Sequence, residues 1–192
     1  MNSCLVQLIT LFTFAWMALV GFRPGVTAEG PQLLPLDNTY DQSPSAFTFR
    51  YPTDWVYFVP QQGLLILGPA TAPTGDVVVP TFTILRAQRL MTEAATLSEA
   101  MEIYLRRGPL LPDQAWIIVA EISPTTLNNR EALVVELEGA NRAGDPQQHI
   151  QVFITRADNG IFYIFAVGAS AEEWRTHLPT FRSILASIEI VE

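Results

Sequence analysis

Seven consecutive residues, Ile161-Phe162-Tyr163-Ile164-Phe165-Ala166-Val167, offer no polar face. Side chains of a strand alternate between the two sides of a sheet, so a strand that is apolar throughout needs cover on both sides. The run must therefore be a central strand between two layers. Asn159-Gly160 precedes it, and another strand-like stretch, 149–156, precedes that. Asn-Gly between two apolar runs marks a hairpin. The heart of the fold is an antiparallel pair inside a sheet packed on both faces.

Other segments fill in around this pair. Residues 46–50 alternate about Phe47 and Phe49, and 55–59 and 64–67 form short strands separated by the turn residues Pro60 and Gly63. Residues 77–86 are β-branched, with Pro80 inside the run, which points to an edge position or a bulge. Residues 116–122 and 131–138 add two more strands, and 187–191 one short closing strand.

Two helices are marked by their starts. Thr96-Leu97-Ser98-Glu99 is a capping box, and Leu97, Ala100, Met101, Tyr104 and Leu105 then recur on one stripe until Gly108-Pro109. Ser170-Ala171-Glu172-Glu173 reads as a second box. It opens a helix with Trp174, Leu178, Phe181 and Leu185 on one face, and Pro179 inside it predicts a kink or two short helices. Strands, helix, strands, helix is the order of an α+β domain, an α/β/α sandwich with a mostly antiparallel central sheet.

Residues 4–21 carry no charge, and a small-residue site at Val26 and Ala28 follows them, with cleavage expected before Glu29. The run is also long enough to remain as an uncleaved anchor that contacts the membrane. The chain therefore divides into a signal peptide or anchor (1–28), an extended linker (29–44) and a folded domain (45–192), and the domain is expected outside the cytoplasm, secreted or anchored.

Its 19 acidic residues against 11 arginines and no lysine give a net charge of −8. That excludes nucleic acid as a partner and a basic patch for anionic lipid. Cys4 is the only cysteine, so thiol catalysis and thiolate metal sites are excluded beyond residue 28.

No residue set spells out a reaction, and no cofactor or metal is expected. Glu173 and His177 stand one helical turn apart without a visible third ligand, and Ser170 reads as a helix cap. The pair Glu136 and Glu138 reads as the solvent side of an edge strand, and His149 as an exposed strand start. The aromatics Tyr51, Trp55 and Tyr57 are either core or the wall of a ligand groove. The loops 69–76 and 141–148, with Asp76 at the end of one, Arg142 within the other and His149 just beyond it, are the expected partner surface.

The aromatic spacing carries a resemblance. Phe47-x-Phe49-x-Tyr51-Pro52-x-x-Trp55 resembles the opening of PsbP-type domains. Thr96-Leu97-Ser98-Glu99-Ala100, Asn129-x-x-Ala132, Asn159-Gly160-x-Phe162-Tyr163 and Trp174 through Phe181 to Ser187 follow in the family's order. The resemblance implies the sandwich that PsbP shares with the nuclear Ran-release factor. It also implies a non-enzymatic role as a partner or assembly factor.

Taken with the export segment, the expected function is non-catalytic binding of a protein partner, itself membrane-bound, as an accessory or assembly factor of a membrane complex. The alternative is a small-molecule or lipid binder with a cleft beside Trp55 and Tyr57.

Overall fold

A computed structural model describes residues 33–41, 47–70, 80–87, 93–107, 116–140 and 146–190, all within one unit, Pro31–Glu192. Its elements in chain order are β1 (Asn38–Tyr40), β2 (Phe47–Tyr51), β3 (Trp55–Gln61), β4 (Leu64–Pro69), β5 (Thr81–Arg86), α1 (Leu97–Arg107), β6 (Ile117–Leu127), β7 (Arg130–Gly139), β8 (Gln148–Arg156), β9 (Phe162–Ser170), α2 (Trp174–Ala186) and β10 (Glu189–Ile190). The seven-stranded sheet runs β3-β4-β5-β9-β8-β7-β6, antiparallel at every step, so β9 is its middle strand. All of β9 except Ser170 is buried, as a strand without a polar face requires.

One face of this sheet is covered by α1, whose Ala100, Met101, Ile103 and Tyr104 pack with Val152, Ile164 and their neighbours. The other face carries α2 together with a small sheet, β1-β2-β10. There Phe47, Phe49 and Tyr40 stack at 5.0–6.2 Å between centroids, and Phe49 meets Phe82 of the large sheet at 6.1 Å. The domain is the α+β sandwich expected from the order of elements, with the small sheet sharing one helical layer.

The α1 capping box forms as read. Thr96 Oγ1 accepts from the Glu99 N–H at 3.2 Å, while the Glu99 carboxylate accepts from the N–H groups of Ala95 and Thr96 at 2.7 and 3.0 Å. Those backbone bonds hold the Glu99 carboxyl below its ordinary range.

Several expectations differ from what folds. Residues 33–41 are part of the packed structure rather than a linker: β1 pairs Asn38 with Tyr51 and Tyr40 with Phe49, and Leu36 and Tyr40 are buried. Two apolar side chains four residues apart were enough to bind a segment whose Pro and Asp content reads as loop. Pro80 sits just ahead of β5, and β5 is an interior strand between β4 and β9; Pro80 therefore removes no ladder bond.

Pro179 neither ends nor divides α2, which is continuous from Trp174 to Ala186 because Phe181, Ile184 and Leu185 are held in the core. Ser170 Oγ does accept from the Glu173 N–H at 3.2 Å, but this closes a turn, and the helix starts one residue later at Trp174. Residues 77–79, Gly108 and Pro109 lie outside the described residues, as does the apolar run 4–21. Among the described residues no helix is long and apolar enough to cross a membrane.

One buried group in α1 carries a prediction. Tyr104 is fully buried, and its hydroxyl has no hydrogen-bond partner among the described residues. An unpaired buried hydroxyl costs roughly 1–3 kcal/mol, so Tyr104→Phe should stabilise the fold by about 1 kcal/mol near neutral pH. Burial also pushes the phenol well above its ordinary value of 10.0. A group whose folded value is raised keeps the native state intact below the unfolded value, and stability falls as pH rises beyond it. The variant should therefore lose part of the wild-type decline above pH 10. Urea titrations at neutral and alkaline pH measure both effects, and a destabilised Tyr104→Phe at neutral pH would show that the hydroxyl is paired.

Candidate functional site

The three aromatics expected at a groove lie in the wall of the core. A turn bonding the Trp55 N–H to Pro52 O at 3.2 Å directs the Trp55 side chain inward, where it meets Phe181 edge-on at 6.1 Å. Tyr51 and Tyr57 are half-buried and meet edge-to-face at 6.3 Å, and Tyr57 also abuts Tyr40 at 5.1 Å. Burial, and secondarily Tyr57, raise the Tyr51 phenol above its ordinary range. These rings bind one another and join the small sheet to the large one.

Asp76 and Arg142 lie outside the described residues. His149 does not sit exposed at a strand start. Its side chain is only 12% exposed, and its ring stacks on the Trp174 indole at 4.3 Å. Nδ1 lies 3.1 Å from Glu138 Oε1 and Nε2 lies 3.3 Å from Glu136 Oε2, within ion-pair range although the second contact is not aligned as a hydrogen bond.

Gln151 also donates to Glu136 Oε1, at 2.5 Å. The two carboxylates therefore do not line an edge: β7 is the second strand in, and its period of two aims both at the α2 side. With each imidazole nitrogen facing a different carboxylate, the cluster ties β7 and β8 to α2. His177 is half-buried and faces Phe181 at 6.2 Å. Among the described residues no group of three His, Cys, Asp or Glu side chains could hold a metal ion.

A groove of about 840 Å³ runs between the start of α1 and the β6–β7 and β8–β9 turns. Arg130 and Arg156 line it, and both are engaged. Arg130 donates to Asp158 at 3.1 Å; Arg156 donates to Ala95 O at 3.0 Å and lies 5.3 Å from the Phe162 ring centre. The positive end of α1 is likewise taken by the Glu99 carboxylate. These groups hold the turns in place.

The exposed chemistry lies at the end of the sheet. In β6, Ile117, Ile118, Val119 and Ile122 are 59, 54, 43 and 41% exposed. The pairing with β7 explains why. Between Ile118 and Ser123 the register shifts twice, from Ile118↔Leu137 to Ala120↔Glu136 and then to Ser123↔Val134. Each shift places one extra residue in β6, which bows the strand and turns side chains outward. Trp116 clamps its start by lying over Gly139, where an added Cβ would come within 2.8 Å of the indole.

The sequence predicts a strand here but not its edge position, because an apolar run without alternation looks the same at an edge as in the centre. The one additional local sign was Glu121 within it.

No family model matches the chain, and no curated protein sequence matches it either. Solved structures do. The solution structure of cyanobacterial PsbP (CyanoP) from Synechocystis sp. PCC 6803 matches at a TM-score of 0.54 and 13% identity, over 86% of this chain and 98% of that one. The Ran-binding protein Mog1p of Saccharomyces cerevisiae matches at 0.54 and 11%, over 82% and 97%. LpqN of Mycobacterium tuberculosis, described as involved in cell envelope biogenesis, matches at 0.50 and 10%, over 76% and 83%. A protein from Bacteroides thetaiotaomicron VPI-5482 matches at 0.53 and 11% over 82% of this chain, which there spans half of the other protein's length. At these identities the likeness speaks to architecture, and the chain has the α+β fold shared by PsbP and Mog1p.

Proposed function

We propose that this chain is an exported, non-catalytic domain that binds a protein partner, serving as an accessory or assembly factor of a membrane complex. The observation that carries the reading is the exposed apolar stretch of β6, Ile117 to Ile122. A domain with two filled cores gains nothing from keeping such residues in water unless another surface covers them. The shared fold supports it, since Mog1p is named for binding Ran and LpqN is tied to the cell envelope. The uncharged run 4–21 supports export, with the segment either removed before Glu29 or retained in the membrane.

Crosslinking in the native cell, with mass spectrometry of the attached proteins and of the chain's own N-terminus, tests the whole reading. A reproducible membrane-protein partner is expected, crosslinked from 117–122 or from the loops that carry Asp76 and Arg142. No partner under conditions that capture control complexes would remove the proposal. A chain recovered from the cytoplasm would remove its exported half.

A further inference from the structure

The same edge limits what kind of partner fits. We infer that β6 is a strand-addition site for a flexible, extended segment of another polypeptide in which apolar residues alternate with Arg or Lys. The inference rests on the partner-binding reading and assigns it a place and a chemistry.

The first argument is the backbone. Among the described residues β6 is the last strand of the sheet and, at 11 residues, its longest. Ahead of Pro124, which has no N–H to donate, the outward N–H and C=O groups of 117–122 face away from β7 and can bond an added strand over roughly 20 Å, at about 3.3 Å per residue. The second is the side-chain pattern. On the α1 side of the sheet an added strand meets Ile118, continuing the row through Leu137 to Ile150 that the sheet already buries. On the α2 side it meets Ile117 and then Ala120, with the partly exposed carboxylates of Glu138 and Glu136, both already in contact with His149, one strand farther in. Glu121 is the only charge within 117–122 and is exposed. Apolar residues at one set of alternate positions and cations at the other match this arrangement, and the net charge of −8 favours a basic segment over long range.

The third argument concerns rigidity. Two extra residues bow β6 between Ile118 and Ser123. A rigid sheet edge needs a straight partner, and bulges of this kind deter edge-to-edge stacking. A flexible segment can follow the bow. A second copy of this chain would bring the same bow and a further charge of −8. The opposite edge, β3, exposes Val56 and Phe58 but has no charged residue, so it lacks the means to select a basic segment.

The test uses the full chain in mild detergent and three capped peptides: one alternating Ile and Arg, one of the same composition in scrambled order, and one alternating Ile and Glu. Amide hydrogen exchange at 117–122 and a fluorescence titration are read together. The Ile/Arg peptide is expected to slow exchange at 117–122 and to bind at least tenfold more tightly than either control. Ile118→Lys and Glu121→Lys should each weaken binding at least tenfold with an unchanged melting temperature, while Phe58→Lys on β3 leaves it unaltered.

Protection elsewhere than β6, equal binding of the scrambled peptide, or protection of 117–122 by self-association without peptide would overturn the inference. Native crosslinks confined to other surfaces would also overturn it while leaving partner binding in place. Failure to capture any partner, with peptide binding at β6 intact, would instead count against partner binding.

Discussion

Phe181→Ala is expected to remove about 3–5 kcal/mol of stability, the usual cost of emptying a well-packed phenylalanine site. Phe181 is fully buried on α2 and lies between Trp55, at 6.1 Å, and Trp174, at 5.7 Å. It is the contact through which α2 holds the first residue of β3. Because Trp174 also carries His149 on its other contacts, the loss should spread to the cluster with Glu136 and Glu138. Domains of this size are stable by only about 5–15 kcal/mol, so the variant should unfold at markedly lower urea. Phe58→Ala is the control: Phe58 is 65% exposed and should change stability by less than about 0.5 kcal/mol. A loss below about 1.5 kcal/mol at Phe181 would mean that Trp55 does not depend on α2.

Gly139→Val should cost about 1–3 kcal/mol through overpacking. The site has no room for a side chain: a Cβ there would lie 2.8 Å from Trp116 Cδ2 and Cε3 and 3.2 Å from Trp116 Cα. A tryptophan ring with its own backbone behind it cannot yield as the tip of a flexible side chain can. Either the ring leaves the α1-side core or the start of β6 separates from β7. Both routes expose the amides of 117–119, so hydrogen exchange there should accelerate more than exchange in β9. Unchanged exchange and unchanged stability would show that Trp116 does not clamp the strand.

Much of this fold was legible in the sequence because its signals were local. The capping box at Thr96, the hairpin before Phe162 and the closing strand at 189–190 all follow from neighbouring residues. Even there, the turn chemistry was only half visible. Gly160 alone takes a positive φ, of 86°, in the Asn159-Gly160 hairpin. The tighter two-residue turn joins β6 to β7, where Asn128 and Asn129 both have positive φ, at 44° and 65°, between the paired residues Leu127 and Arg130.

Position within the sheet was legible for β9, which has no polar face, but not for β6. Ile161–Val167 and Ile117–Ile122 are both apolar runs, yet one lies at the centre and the other at the rim. Strand order decides between them, and strand order is set by contacts distant in sequence. The same reason hid the environment of His149, whose neighbours come from β7 and α2. Tyr51, Trp55 and Tyr57 left core and groove open for a related reason: an aromatic pattern records apolar surroundings without recording whether protein or ligand supplies them.

Strand order also has a kinetic consequence. Within the large sheet every neighbouring pair except one is consecutive in the chain. The exception is the seam between β5 and β9, which pairs Arg86 with Tyr163 and Thr81 with Gly168. The sheet is thus two meanders, β3 to β5 and β6 to β9, that meet along a single long-range contact with α1 in the intervening chain. Hairpins close quickly, whereas long loops bear an entropic cost before any contact rewards it. In any folding order that completes hairpins before the seam, the most apolar strand of the protein waits as an open edge, and the interval before β5 docks is when the chain is most exposed to aggregation.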